Sequence, residues 1–102
     1  MLTVYVVCGS EKEAEKIAVA LVEERLAACV NYFPCRSVFK WKGRMKKVNE
    51  WVLFAKAVEK NYPAIETRVI KLHSYKLPAV FAWNDSTALA AYEKWVGASC
   101  RK

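Results

Sequence analysis

The chain has 102 residues, 55% hydrophobic and 26% charged, with three Gly and three Pro. That composition fits one globular domain and excludes a disordered chain, a low-complexity chain or one built on long flexible linkers. The formal net charge of +7 favours acidic partners, yet its densest run, Lys40, Lys42, Arg44, Lys46 and Lys47, reads first as a solvated charged turn.

Residues 2–8, LTVYVVC, form a short apolar run rich in β-branched side chains, the pattern of a buried strand. The run lacks the charged flank and cleavage site of a secretion signal, and it is too short to span a membrane. The four cysteines, Cys8, Cys29, Cys35 and Cys100, form no C-x-x-C pair, so zinc-ribbon and thioredoxin-type sites are excluded. The expectation is a cytoplasmic protein with reduced thiols and no membrane segment.

A helix is expected over 11–28. Ser10 is its N-cap and Glu13 completes a capping box, while Ala14, Ile17, Ala18, Leu21 and Val22 make one apolar face. Residues 29–34 begin a second strand, with Pro34 predicting a bend or an edge position. Residues 35–41 continue extended, 42–47 turn around Gly43, and 49–58 form the strongest strand of the chain. These pieces make a hairpin long enough to project beyond a small domain. A second helix is expected over 60–75, with Pro63 at its first position and Ile65, Val69 and Leu72 on one face. Pro78 stops it, and 79–83 is a further strand. Asn84, Asp85 and Ser86 turn the chain into a last helix over 87–99, with Leu89, Tyr92, Trp95 and Val96 as its packing stripe.

The order is β-α-β-β-α-β plus a terminal helix, an α+β ferredoxin-like sandwich with a long hairpin between its second and third strands. Both helices cover one face of a four-stranded antiparallel sheet, which leaves the other face bare in a monomer. The RNA-recognition use of this layout needs a Gly- and aromatic-containing third strand, and WVLFAKAV lacks that spacing, so nucleic acid is not the expected partner. The heavy-metal-transport use needs a cysteine pair where Cys8 stands alone. The remaining use is an oligomer whose sheets cover one another.

Three stretches carry a family resemblance: ERLAACVN at 24–31, FKWKGRMKKVNEWVLFAK at 39–56, and HSYKLP at 73–78, which is similar to a family motif H-P-Y-x-x-P. Together they resemble the CutA family of divalent-cation tolerance proteins, and the match runs in order from VYVVCGSEKEAEKIA to the helix holding Trp95. The resemblance implies a ferredoxin-like fold and a tight homotrimer, with hairpins reaching to neighbouring subunits. It also implies a role in tolerance of copper and other divalent ions, and an architecture like that of the PII signalling proteins, which bind small effectors between subunits. No reaction is attached to the family.

Carried over residue by residue, the resemblance makes Cys8 and His73 candidate metal ligands and Cys29 a further candidate thiol. It places Trp41, Glu50, Lys56 and Tyr75 at an inter-subunit cleft. Leu72 stands where some members have a second histidine, Ser74 replaces a proline, and Ala57 replaces a threonine. Soft Cys8 and borderline His73 suit Cu or Zn, although two protein ligands make a weak site. The alternatives are a buried apolar role for Cys8 and a helix-terminal role for His73. Glu50 and Lys56 share a strand face about 20 Å apart, so each needs a partner from another element or subunit. No nucleophile–base arrangement is legible, so the expectation is a binding protein, not an enzyme.

Overall fold

The computed structural model describes residues 1–101. Its elements are β1 (Leu2–Cys8), α1 (Glu11–Glu23), β2 (Cys29–Trp41), β3 (Arg44–Ala57), α2 (Tyr62–Leu72), β4 (Val80–Asn84) and α3 (Ala90–Ser99), with a single 3-10 turn, Glu59–Asn61, before α2. The sheet has the order β2-β3-β1-β4 and every pairing is antiparallel. This is the α+β ferredoxin-like arrangement that the element order predicts.

Strand alternation divides the side chains between two faces. Val4, Val6 and Cys8 of β1 and Leu53, Ala55 and Ala57 of β3 point into one core with Ile17 and Leu21 of α1 and Ile65 and Val69 of α2. The opposite face carries no helix. Along it, Tyr5 packs on Phe81 and Phe54 at ring separations of 4.8 and 5.8 Å, and Phe54 meets Phe33 and Trp83 at 5.4 and 6.1 Å. Phe33, Phe81 and Trp83 remain 41%, 50% and 43% exposed, a contiguous aromatic surface of the kind that marks an interface.

Several boundaries differ from the sequence expectation, each for a local reason. The first helix ends at Glu23, not at 28, because Arg25 turns into the left-handed region (φ 58°). The Leu26 and Ala27 N–H groups then fold back onto the Leu21 carbonyl, which buries both side chains. The Arg25 guanidinium in turn caps the end of α3, donating to the Ala98 and Ser99 carbonyls at 3.2 and 3.1 Å. β2 passes through Pro34 unbroken, since an outer strand tolerates a missing N–H on its free side.

The expected six-residue turn contracts to Lys42 and Gly43, whose φ values of 52° and 79° make a type I′ turn. Trp41 therefore faces Arg44, and β3 begins at Arg44 instead of residue 49. The hairpin stretches the molecule to 45 × 26 × 20 Å. α2 starts at Tyr62, with Pro63 second in the helix, and stops at Leu72 instead of continuing to residue 75, because His73 adopts an extended backbone (ψ 142°). α3 starts three residues late. Its packing falls to Tyr92 and Val96, whereas Leu89 and Trp95 are 75% and 49% exposed.

Candidate functional site: a basic cleft beside a Cys–Glu–His cluster

Residues 73–79, between α2 and β4, fold over the end of β1 and meet the middle of the hairpin. Two groups of side chains converge there, one closed and one open.

The closed group is Cys8, Glu13 and His73, whose ligand-type atoms lie within 4.8 Å of one another. Cys8 ends β1 and is fully buried. Glu13 sits in the first turn of α1, where Ser10 Oγ accepts its N–H at 3.2 Å as the cap motif predicts. Its carboxylate does not return to the Ser10 amide as a full capping box requires. It accepts instead from Ser74 N–H at 3.0 Å and Gly9 N–H at 3.5 Å, and so tethers the loop after α2 to the start of α1.

The His73 side chain is fully buried, and both ring nitrogens are engaged. Nδ1 accepts the Tyr75 N–H at 3.1 Å. That donor fixes the tautomer, so Nε2 carries the proton and donates to the Val7 carbonyl at 2.6 Å. Burial, reinforced by the charges of Glu13 and Glu50, pushes the Cys8 thiol up to about 12. The cluster thus has a donor set suited to Cu or Zn but does not fit an ion as arranged. An ion needs a thiolate and a free imidazole nitrogen, and the fold supplies a thiol and an imidazole held by the backbone at both ends.

The open group lines a cleft of about 700 Å³ between the outer half of the hairpin and the 74–79 loop. Phe39 and Trp41 of β2, 40% and 43% exposed, line it together with Lys42, Lys46 and Lys76. Glu50 and Tyr75 also line the cleft. Glu50 is only 6% exposed, and Tyr75 Oη donates to its Oε2 at 2.8 Å. Burial and that carboxylate hold the Tyr75 phenol well above the usual tyrosine range. Gly9 makes the contact possible, because a Cβ at that position would meet Tyr75 Oη at 2.9 Å.

Of the residues singled out in the sequence, Trp41, Glu50 and Tyr75 thus share one cleft, and Cys8 and His73 share the adjoining cluster. Lys56 does not join them within one subunit. It lies at the far end of β3, opposite Thr3 on one side and Cys29 on the other. Cys29 is therefore remote from Cys8, and all four cysteines are free. Sequence reasoning missed Glu13, read only as a cap, and Lys42 and Lys46, read as a solvated turn. Their signal was positional, since a hairpin with a two-residue turn brings Lys46 directly opposite Phe39.

Residues 2–99 match the family described as CutA1 divalent ion tolerance protein. The chain belongs to this family. The divalent-cation tolerance protein CutA of Archaeoglobus fulgidus is 33% identical over 93 residues, 91% of each chain. Its solved structure, described as periplasmic, aligns with a TM-score of 0.94 at 32% identity over 97% of this chain and 98% of that one. CutA1 of Pyrococcus horikoshii aligns with a TM-score of 0.96 at 27% identity over the full length of both chains. A CutA from Nostoc sp. PCC 7120, described as PII-like, aligns at 0.92 with 28% identity over 99% and 98%. The Archaeoglobus relative is named for divalent-cation tolerance, not for a reaction, and no described helix of this CutA1-family chain is long and apolar enough to cross a membrane.

Proposed function

We propose that this CutA1-family protein acts as a cytoplasmic homotrimer in the tolerance of divalent metal ions, as a PII-like scaffold that takes a small anionic molecule in the cleft at Trp41, Glu50 and Tyr75. The observation that carries the reading is the cleft itself, with aromatic walls and Lys42, Lys46 and Lys76 placed to draw in an anion. The exposed aromatic face of the sheet supports the trimer, because a monomer leaves it in water. Lys56 sits beside that face, so its role in this reading is at the contact between subunits. The free cysteines support a reducing compartment. Burial makes the Cys8 thiol and the Tyr75 phenol weaker acids, so neither is an activated nucleophile at neutral pH, which supports binding over catalysis.

The test is mass measurement in solution followed by thermal-shift screening against organic anions and nucleotides. A trimer stabilised by an anion, with the shift lost in Lys46→Ala and Lys76→Ala, supports the reading. A monomer at micromolar concentration, or a trimer indifferent to every anion, sinks it.

The convergence of Cys8, Glu13 and His73 favours a second reading, a weak site for Cu or another divalent ion at that cluster. Binding there requires the 74–79 loop to release the His73 ring, so metal uptake would be coupled to the cleft. Titration calorimetry with Cu and Zn salts decides it. Unchanged affinity in both Cys8→Ala and His73→Ala removes this reading.

A further inference from the structure

The closed cluster and the open cleft meet at one side chain. Cys8, Glu13 and His73 do not line the cleft, while Tyr75 does, together with Val7 and Glu50. The Tyr75 ring lies 4.8 Å from the His73 ring, centroid to centroid. Its hydroxyl end crosses Gly9, the residue after Cys8, to reach the Glu50 carboxylate at 2.8 Å. The Cys8 and His73 side chains are fully buried. Glu13, the third member of the cluster, is pinned to the Ser74 and Gly9 amides, and its side chain is 14% exposed. All of these contacts are made within one subunit, so they hold whatever a neighbouring subunit adds to the cleft.

Gly9 is not required by its own backbone, since Gly43 is the glycine of this chain that adopts positive φ. A Cβ at position 9 would instead meet the Tyr75 phenol, with Oη at 2.9 Å and Cε1 at 3.1 Å. The missing Cβ is therefore room for that ring. The phenol itself is held at its tip by the hydrogen bond to Glu50, and it sits in a loop without regular secondary structure. Breaking that bond and turning one side chain is a local opening that leaves the sheet and helices intact. We infer that the Cys8–Glu13–His73 cluster is an inner compartment of the cleft and that Tyr75 is the shutter between the two, seated on Gly9 and latched to Glu50. A small soft reactant, an electrophile or a thiophilic cation, reaches the Cys8 sulfur through the cleft once the phenol leaves Glu50. The passage needs no ligand bound in the cleft.

Alkylation by iodoacetamide at pH 8, read by peptide mass spectrometry on the full-length oligomer, tests the shutter. The reagent attacks a thiolate, so Cys8 reacts when opening lets water reach its sulfur. Cys100 is the internal reference: it is also buried, bonded to the Leu26 carbonyl, and it lies by Val58, past the end of β3 remote from Trp51, the partner of Cys8. Tyr75→Phe removes the latch and keeps the ring, and it should speed Cys8 alkylation about tenfold. Gly9→Ala displaces the phenol without altering it and should speed Cys8 by a similar factor. Cys100 should not change in either variant, and the Cys8 rate should not rise in low urea, because a local opening exposes little surface. If Gly9→Ala does not fold, Tyr75→Phe carries the test. Unchanged Cys8 rates overturn the shutter. So does a Cys8 rate that rises only together with that of Cys100 and with urea, since the route is then global unfolding. Either overturning result leaves the anion cleft standing, because that reading depends on the lysines.

Discussion

The phenol of Tyr75 closes on the carboxylate of Glu50 at 2.8 Å, joining the loop after α2 to the middle of β3. Glu50 is nearly buried, so this bond determines whether a charged group is tolerated under the cleft. Tyr75→Phe removes the donor and keeps the ring against Gly9. The expected cost is about 1–3 kcal/mol in a denaturant titration at fixed protein concentration. A double-mutant cycle with Glu50→Gln should show coupling between the two sites, and additive effects would mean that the contact contributes nothing.

His73 holds two backbone segments at once, the Val7 carbonyl and the Tyr75 amide. His73→Ala leaves both without their partner and opens a cavity in a closed site, for a loss of about 3 kcal/mol. The same substitution should speed hydrogen exchange at the Tyr75 amide well beyond that of the α2 amides. Unchanged protection there would show that the imidazole does not fix the loop.

Cys8 supplies a pH dependence whose sign follows from its burial. The thiol's usual value of 9.0 is pushed up to about 12 in the folded chain. Below pH 9 the thiol is protonated in both states and the folded state keeps its full stability. Between about 9 and 12 the unfolded chain loses the proton and the folded chain does not, so stability falls as pH rises. Cys8→Ala should flatten this alkaline slope relative to the parent, as measured by denaturation at stepped pH. At pH 8 Cys8 should also react with thiol reagents more slowly than half-buried Cys29 and Cys35.

At the hairpin turn, Lys42 adopts φ 52° without being glycine or asparagine. Lys42→Asn places an Asn-Gly pair in a type I′ turn and should stabilise the protein by about 0.5–1 kcal/mol. A lower melting temperature for this variant would argue that Lys42 makes a contact in the oligomer that outweighs its backbone strain.

The sequence by itself determined the order of elements and the single core, because these rest on local periodicity, while the family followed from the resemblance of three stretches. The apolar stripe of Ala14, Ile17, Ala18 and Leu21 and the β-branched run of residues 2–8 each state their own conformation. Ser10 as a cap and Pro34 as a bend or an edge position were also legible, since both depend on chemistry within a few positions. Only the tertiary structure decided what the site residues do. Glu13 reads as half of a capping box until the loop after α2 arrives to take its carboxylate. His73 reads as a candidate ligand or a helix-terminal residue until Val7 and Tyr75 occupy both of its nitrogens. The scattered lysines of the hairpin become one wall of a cleft only when a two-residue turn sets the register of β2 against β3. Such roles depend on partners distant in sequence, and packing, not local propensity, selects among the partners that the chain offers.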